Sequence, residues 1–345
     1  MRKWSVSPNH SESMTVYRIK QTQNNMHKTV KKIAQVLAFM VLVILFVQCN
    51  NKEVTGPRIS EFETQFTSGK AFLTSKAPVK QQFTKDASNF FQITSQNGFT
   101  YAFSAGSLIQ NGNPVSGNVE VAITEYTRKS DMIFSGITTL AGDQLLTSGG
   151  MFNIEISANN LPVELNGIYQ VSIPTQNIDP RMEVFEGREV TNADKSMGVN
   201  WVTADSSWLD PDRDTINRED SGRYYLNLDF LSWCNLDKYI NAPEGGQVRL
   251  KLPKEFTNSN TTVYMIFEEN SVVNLFADAT LEEFNSGNFI LPLGWNIKLL
   301  AVCVDTNKDL QYALIDSKIT DPHLETVTAM TKISESDLET LIKAL

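Results

Sequence analysis

One acidic segment in the second half of the chain has the residue types and the spacing of a cation site. Asp210, Asp212 and Asp214 occupy every second position, like the first three ligands of a calcium-binding loop. Such a loop also needs glycine at its sixth position and glutamate at its twelfth, where this chain has Thr215 and Ser221. The pattern therefore favours a solvated acidic loop, with a calcium site as the alternative and no other cofactor expected.

Chemistry based on imidazole or thiolate has few residues to draw on. After Cys49 the chain has one histidine, His323, and two cysteines, Cys234 and Cys303. This composition excludes a zinc site with two histidines or a Cys-x-x-Cys pair. We expect a solvated side chain for His323, which lies in a turn-like stretch, and a buried strand position for Cys303. We expect no catalytic residue, and the sequence leaves open whether Cys234 and Cys303 pair.

Two tryptophans, Trp208 and Trp233, are candidates for an exposed ligand face that stacks on a sugar or packs on a partner protein. Trp208 lies within the acidic segment, where burial is the weakest explanation for an aromatic side chain. The alternative is an enzyme that acts on glycans through two carboxylates about 5–10 Å apart, supplied by residues 205–220. Sequence spacing does not place two acids at that distance, so we favour a non-enzymatic protein.

The elements that would position these residues begin after an apolar run near the N-terminus. Residues 33–47 are apolar except for one glutamine, and Lys28, Lys31 and Lys32 precede them. A basic stretch before a short apolar run is typical of a signal peptide, which we assign to residues 26–48. As a helix the run is about 22 Å long, less than the ~30 Å of a bilayer core.

The end of this run, Leu-Phe-Val-Gln-Cys at residues 45–49, resembles the lipobox of bacterial lipoproteins. The resemblance implies that Cys49 becomes the mature N-terminus and carries the acyl chains, palmitate among them. It also implies a location at the cell envelope, on the outer membrane. The alternative is an uncleaved membrane anchor with an incidental cysteine.

The charge of the chain argues against nucleic acid as a partner. The whole chain has 30 basic and 39 acidic residues, a net charge of −9. The first 48 residues hold seven of the basic residues and one of the acids, so the remainder has a net charge of −15. A nucleic-acid-binding protein needs a basic surface instead.

Alternating apolar and polar residues predict a short strand at residues 118–126, and residues 261–267 are predicted as another short strand. Turn signals every 8–12 residues separate such strands, and this spacing is typical of β-sandwiches. We therefore predict an all-β fold of two consecutive β-sandwich domains with a short C-terminal helix. We predict no helix of useful length in the first domain. The predicted segments after the signal peptide are a flexible tether (49–88), domain 1 (89–178), domain 2 (179–325) and the helix (326–345).

Several motifs resemble a module of exported, largely uncharacterised lipoproteins of Bacteroidota, similar to the ZU5-type β-sandwich. The motifs lie at residues 102–108, 111–121, 131–139, 145–151, 182–187, 200–202 and 231–237. They consist of turn glycines and core residues, so the resemblance implies an Ig-like or ZU5-like fold and an exported location. It transfers no catalytic or binding residue.

Together these observations predict a membrane-anchored envelope lipoprotein that acts as a non-enzymatic binding or structural module. Its expected contacts are the membrane, through the lipid on Cys49, and another envelope protein or a polysaccharide.

Overall fold

The computed structural model describes residues 61–191, 197–204, 222–241, 245–278 and 280–345. These residues are mostly strand, with three short helices among them. The predicted all-β class with a short C-terminal helix is therefore confirmed. The predicted signal peptide and Cys49 lie outside the described residues.

The elements follow one another in three groups along the chain. The first group is α1 (Gly69–Thr74), β1 (Gln81–Asp86), β2 (Phe91–Thr94), β3 (Thr100–Phe103), β4 (Leu108–Gln110), β5 (Asn113–Pro114), β6 (Asn118–Tyr126), α2 (Lys129–Ser135), β7 (Leu140–Ala141) and β8 (Gln144–Ala158). The second is β9 (Leu161–Pro162), β10 (Glu164–Leu165), β11 (Tyr169–Pro174), β12 (Glu183–Thr191), β13 (Met197–Thr203), β14 (Arg223–Leu228) and β15 (Trp233–Tyr239). The third is β16 (Val248–Lys251), β17 (Thr261–Phe267), β18 (Val272–Asp278), β19 (Glu283–Asn285), β20 (Asn296–Val304), β21 (Leu310–Lys318), β22 (His323–Thr326), β23 (Thr331–Lys332) and α3 (Glu335–Lys343).

Two antiparallel sheets form a sandwich in the first part of the body. The first sheet has the order β1-β6-β8-β15-β12-β13, with β7 and β9 added to β8, and the second has the order β14-β11-β3-β2. Apolar side chains from both sheets meet in one cluster, the first core. Its fully buried members include Phe103, Val121, Phe152, Val171 and Leu226. A short sheet of β10-β4-β5 accompanies the sandwich.

A third large sheet follows, with the order β22-β16-β19-β18-β17-β20-β21-β23. Its neighbouring strands are antiparallel except for the parallel pair β16 and β22. Strands β16 to β20 all contribute to one cluster, the distal core, which includes Leu250, Met265, Val273, Phe284 and Leu299. Each of these five strands therefore buries apolar side chains in the same core.

A middle core joins the first sheet to the third. It holds Phe72 of α1, Met132 of α2, Phe185 of β12, Leu300 of β20 and Leu338 of α3, all fully buried. Strands β17 and β20 lie between two cores, because successive side chains of a strand point to opposite faces. All seven residues of β17 are buried, with the odd-numbered ones from 263 on in the distal core and the even-numbered ones between them in the middle core.

The predicted boundary between domain 1 and domain 2, at residues 178 and 179, is wrong. Strand β15 pairs with β8 in the first sheet, and β14 pairs with β11 in the second. The first sandwich therefore extends through β15, and the strands of the third sheet begin only at β16. Sequence periodicity identifies strands but not their partners, which is why the boundary was misplaced. The chain from Ser60 to Leu345 is one compact unit.

The prediction of a flexible tether over residues 49–88 is wrong for its described C-terminal part. Helix α1 buries Phe72 and Leu73 in the middle core, and β1 pairs with β6 along its whole length. The backbone of α1 approaches β20 so closely that a methyl group on Gly69 would overlap the carbonyl group of Val302. The apolar side chains therefore outweigh the polar composition that suggested a tether.

The sequence predicts no helix of useful length between residues 89 and 178, and the structure has a short helix there, α2. Helix α2 is only seven residues long, but it buries Met132, Ile133 and Phe134 completely or nearly so. The Asp131 carboxylate accepts the amide hydrogens of Thr127 and Arg128, each at 3.1 Å, and fixes the start of the helix. Short helices of this kind leave little periodicity in a sequence, because two turns contain too few repeats.

The C-terminal helix α3 is shorter than the segment predicted for it, since β22 and β23 occupy the start of that segment. Its N-cap is Ser334, whose hydroxyl accepts the amide hydrogen of Asp337 at 3.1 Å. Leu338 and Ile342 are fully buried in the middle core, and Leu341 packs beside them. The predicted C-terminal helix is therefore stabilised by its cap and by its apolar face.

We predict that Gly69→Ala lowers the free energy of unfolding by about 1–3 kcal/mol, because α1 must move away from Val302 to make room for the methyl group. Urea denaturation of the full chain in mild detergent measures the change. Gly245→Ala is the matched control, because Gly245 is exposed and a methyl group there meets no atom within 4 Å. Equal stability of the two variants would contradict the close approach of α1 to β20.

Candidate functional site

Most of the residues that the sequence singles out lie outside the described part of the chain. These are Cys49, Trp208, Asp210, Asp212 and Asp214. The lipid site, the calcium alternative and the Trp208 ligand face therefore remain predictions. Within the described residues, no three His, Cys, Asp or Glu side chains are grouped as metal ligands.

Trp233 lies in a packed aromatic cluster on the first sheet and is half-buried. Its ring stacks on Tyr126 with 5.4 Å between centroids and meets Trp201 edge-on at 6.4 Å. Gly187 makes room for this packing, because a Cβ atom there would lie 2.5 Å from the Cβ of Trp233. The indole N–H donates to Glu189 at 3.1 Å. Much of the Trp233 side chain is therefore already in contact with other residues of this sheet.

The cysteines are free thiols in two different cores. Cys234 is fully buried in the first core and Cys303 in the distal core. Burial raises the pKa of both thiols, to about 12 for Cys303, so neither is a ready nucleophile.

The expectation of a solvated His323 is wrong, because the residue begins strand β22 and is only 3% exposed. It pairs in register with Val248 of β16 and is buried beside that strand. Burial lowers the pKa of its imidazole, with the nearby Glu325 acting in the opposite direction. The side chain is therefore neutral at pH 7.

A buried polar cluster lies where two motifs of the family resemblance meet. Asp237 of β15 is opposite Ser148 of β8, next to an irregularity in the pairing of the two strands. The Asn235 amide donates to one carboxyl oxygen of Asp237 at 2.5 Å, and the Ser148 hydroxyl donates to Asn235 at 2.9 Å. The other oxygen of Asp237 has no hydrogen-bond partner among the described residues.

Burial without a cation raises the pKa of Asp237 from its ordinary value of 3.8 to about 8. A raised pKa is one mark of a catalytic acid. Asp237 is fully buried, however, and lines none of the grooves described below. The Asp237 carboxyl group keeps its proton where β8 and β15 pair, because an ionised carboxylate there would be buried without a counterion.

One groove on the described surface has a volume of about 700 Å³. It lies at the ends of β17, β20 and β21, where Lys129 of α2 and Leu345 also border it. Ile266 belongs both to the middle core and to the wall of the groove, so the groove is where the middle core opens to solvent. The charged side chains in its lining are those of Lys129, Glu268, Lys298, Asp316 and Lys318.

Each acid in this groove, henceforth the lysine groove, has a partner inside it. Asp316 forms an ion pair with Lys298, and Glu268 accepts the Asn296 amide at 3.1 Å. The Lys129 ammonium donates to the carbonyls of Phe267 at 3.0 Å and Glu268 at 3.4 Å. Partial burial lowers its pKa, the charge of Lys298 adds to the decrease, and Glu269 and Glu268 oppose it.

Two smaller grooves have fewer side chains that could bind a charged ligand. One, of about 320 Å³, lies between β1 and β2 and is lined by uncharged side chains apart from Lys80. The other, of about 350 Å³, contains Asp305 and Asn307 in the hairpin between β20 and β21. There Asp305 accepts the amide hydrogens of Asn307 and Asp309 at 2.8 and 2.9 Å, so its carboxylate builds the turn.

The lysine groove is not predictable from the sequence. Lys129, Lys298 and Lys318 come from a helix and two strands and form no motif in the chain. Only the pairing of β20 with β21, which places Lys298 opposite Asp316, brings their strands together.

Neither a comparison with protein-family models nor a search of curated proteins produces a match for this chain. In the described part of the chain, no helix has the length and apolar character required to cross a bilayer.

We predict that Asp237→Asn makes the protein more stable relative to wild type as the pH rises from 4 to 8. The native state keeps the Asp237 proton up to about pH 8, whereas the unfolded chain loses it near pH 3.8. The native state therefore binds more protons in this window, and the wild type loses stability as the pH rises through it. Asparagine keeps the shape without titrating, so the difference should reach a few kcal/mol above pH 8.

Urea denaturation at pH 5, 7 and 9 measures this difference. Asp179→Asn is the control of opposite sign, because hydrogen bonds from Arg181 and Lys238 hold the pKa of Asp179 below its ordinary value. Its loss should lower stability above pH 4. A difference between Asp237→Asn and wild type that does not change with pH would contradict the assignment.

Proposed function

We propose that this protein is an exported, lipid-anchored protein of the bacterial cell envelope that acts as a non-enzymatic binding module. The lysine groove is the observation that carries the binding role. Its volume is in the range of ligand pockets in proteins, about 300–1,000 Å³. The anchor and the outer-membrane location rest on the resemblance of residues 45–49 to a lipobox.

The groove is suited to binding because its scaffold is rigid. Strands β17 and β20, which form its floor, continue into two cores and are almost completely buried beyond the groove. Sites built on buried strands hold their side chains more precisely than sites built on loops. The partner would be another envelope protein or a polysaccharide.

A carboxylate-based glycan-active enzyme is the alternative function. It requires an acid with a raised pKa in a cleft, opposite a second acid. Asp237 has the raised pKa, but its burial in the seam between β8 and β15 removes it from any substrate. In the lysine groove, Glu268 and Asp316 are held by Asn296 and Lys298. These contacts favour a binding role over an enzymatic one.

We predict that cells expressing this protein incorporate an alkyne-labelled fatty acid into the wild type and not into Cys49→Ala. The reason is that Cys49 is the residue that the lipobox resemblance assigns to acylation. After coupling to a fluorophore, in-gel fluorescence of the immunoprecipitated protein measures the label.

Cys234→Ala is the matched control and should keep the label, because the Cys234 thiol is fully buried in the first core. Label on Cys49→Ala, or its absence from the wild type, would refute the anchor. That result would leave the binding role of the groove to the separate test below.

A further inference from the structure

We propose that the lysine groove binds an acidic peptide segment of a partner protein, with a carboxylate of that segment seated between Lys129 and Lys318. This inference rests on the proposed binding function and names the chemistry of the partner. Neither the sequence motifs nor the family resemblance assigns a role to these lysines.

The distribution of charge in the groove leaves cations, rather than acids, free to bind. The Asp316 carboxylate is taken by Lys298, and the Glu268 carboxylate accepts the Asn296 amide. Lys318 is exposed and forms no ion pair with the described residues. It lies opposite Asn296 at the open end of the β20–β21 pair, two residues beyond Asp316.

Lys129 has one donor left for a ligand. An ammonium group has three N–H donors, and two of them are directed at the carbonyls of Phe267 and Glu268. The third is available to an acceptor in the groove. A charge-assisted hydrogen bond to a carboxylate is about twice as strong as one between neutral groups.

Partial burial gives Lys129 a further preference for an anion. Burial is the main cause that lowers the pKa of its ammonium group, and the charge of Lys298 adds to the decrease, while Glu269 and Glu268 oppose it. A carboxylate placed beside Lys129 offsets the cost of burying its charge. The chain as a whole has a net charge of −9, so this group of lysines stands out against an acidic surface.

The lining favours a peptide over a sugar. Sugar rings are commonly held by exposed aromatic faces, and the one aromatic residue that borders this groove, Phe267, is only 1% exposed. The lining instead combines charged groups with the carboxamide of Asn296. Such groups suit the side chains and backbone of an extended peptide, which advances about 3.3 Å per residue.

The test measures fluorescence anisotropy of labelled hexaglutamate with the full chain in mild detergent. We expect saturable binding that weakens with added salt, because exposed charges are screened. Lys318→Gln should weaken it about threefold to fivefold, the effect of one exposed charge pair, and Lys318→Arg should restore it. Lys254→Gln is the matched control, since Lys254 is exposed, pairs with Glu282 and does not border the groove.

Labelled hexaglutamine and hexagalacturonate separate the outcomes. Binding of hexaglutamate that Lys318→Gln leaves unchanged would overturn the proposal, and so would equal binding of hexaglutamine. Binding of hexagalacturonate alone, with loss in Lys318→Gln, would overturn the peptide partner while supporting the groove as a binding site. Binding of no probe would overturn both the peptide partner and the binding role of the groove. Unchanged thermal unfolding of Lys318→Gln shows that the variant is folded.

Discussion

The burial of β17 and β20 on both faces is the constraint on which the rest of the structure depends. A strand in an antiparallel sheet commonly faces water on one side, but these two are covered by the distal core on one side and by the middle core on the other. The faces of β17 and β20 that point into the middle core must therefore be covered by elements outside the third sheet. Helices α1, α2 and α3 and the first sheet provide that cover, so the two halves of the body cannot be separated without exposing apolar surface.

The same arrangement determines where polar groups are placed. Inside, Asp237 is compatible with burial only as a neutral acid beside Asn235, because no cation among the described residues forms an ion pair with it. At the border, the middle core ends at Ile266, and the next positions on the strands carry lysines and acids. The lysine groove is thus the polar edge of an apolar layer.

The sequence predicted single elements well and their assembly poorly. The segments predicted as strands at 118–126 and 261–267 coincide with β6 and β17, because the sequence features that predict a strand are local. The pairing of β15 with β8 is not local, and so the domain boundary was misplaced. The candidate site was missed for the same reason, since Lys129, Lys298 and Lys318 become neighbours only in the folded chain. Spacing alone is also ambiguous: Asp305, Asn307 and Asp309 repeat the alternation of a calcium loop, yet Asp305 builds a hairpin turn.

The contact of α1 with β20 has a consequence for the order in which the protein assembles during synthesis. The amide of Gly69 donates to Asn260, and the carbonyl of Phe62 accepts the amide hydrogen of Leu310. The start of the body thus closes on strands that the ribosome makes much later. The middle core cannot close before β20 and β21 have been made, and contacts between such distant segments form slowly. The middle core therefore stays incomplete until nearly all of the described chain has been synthesised.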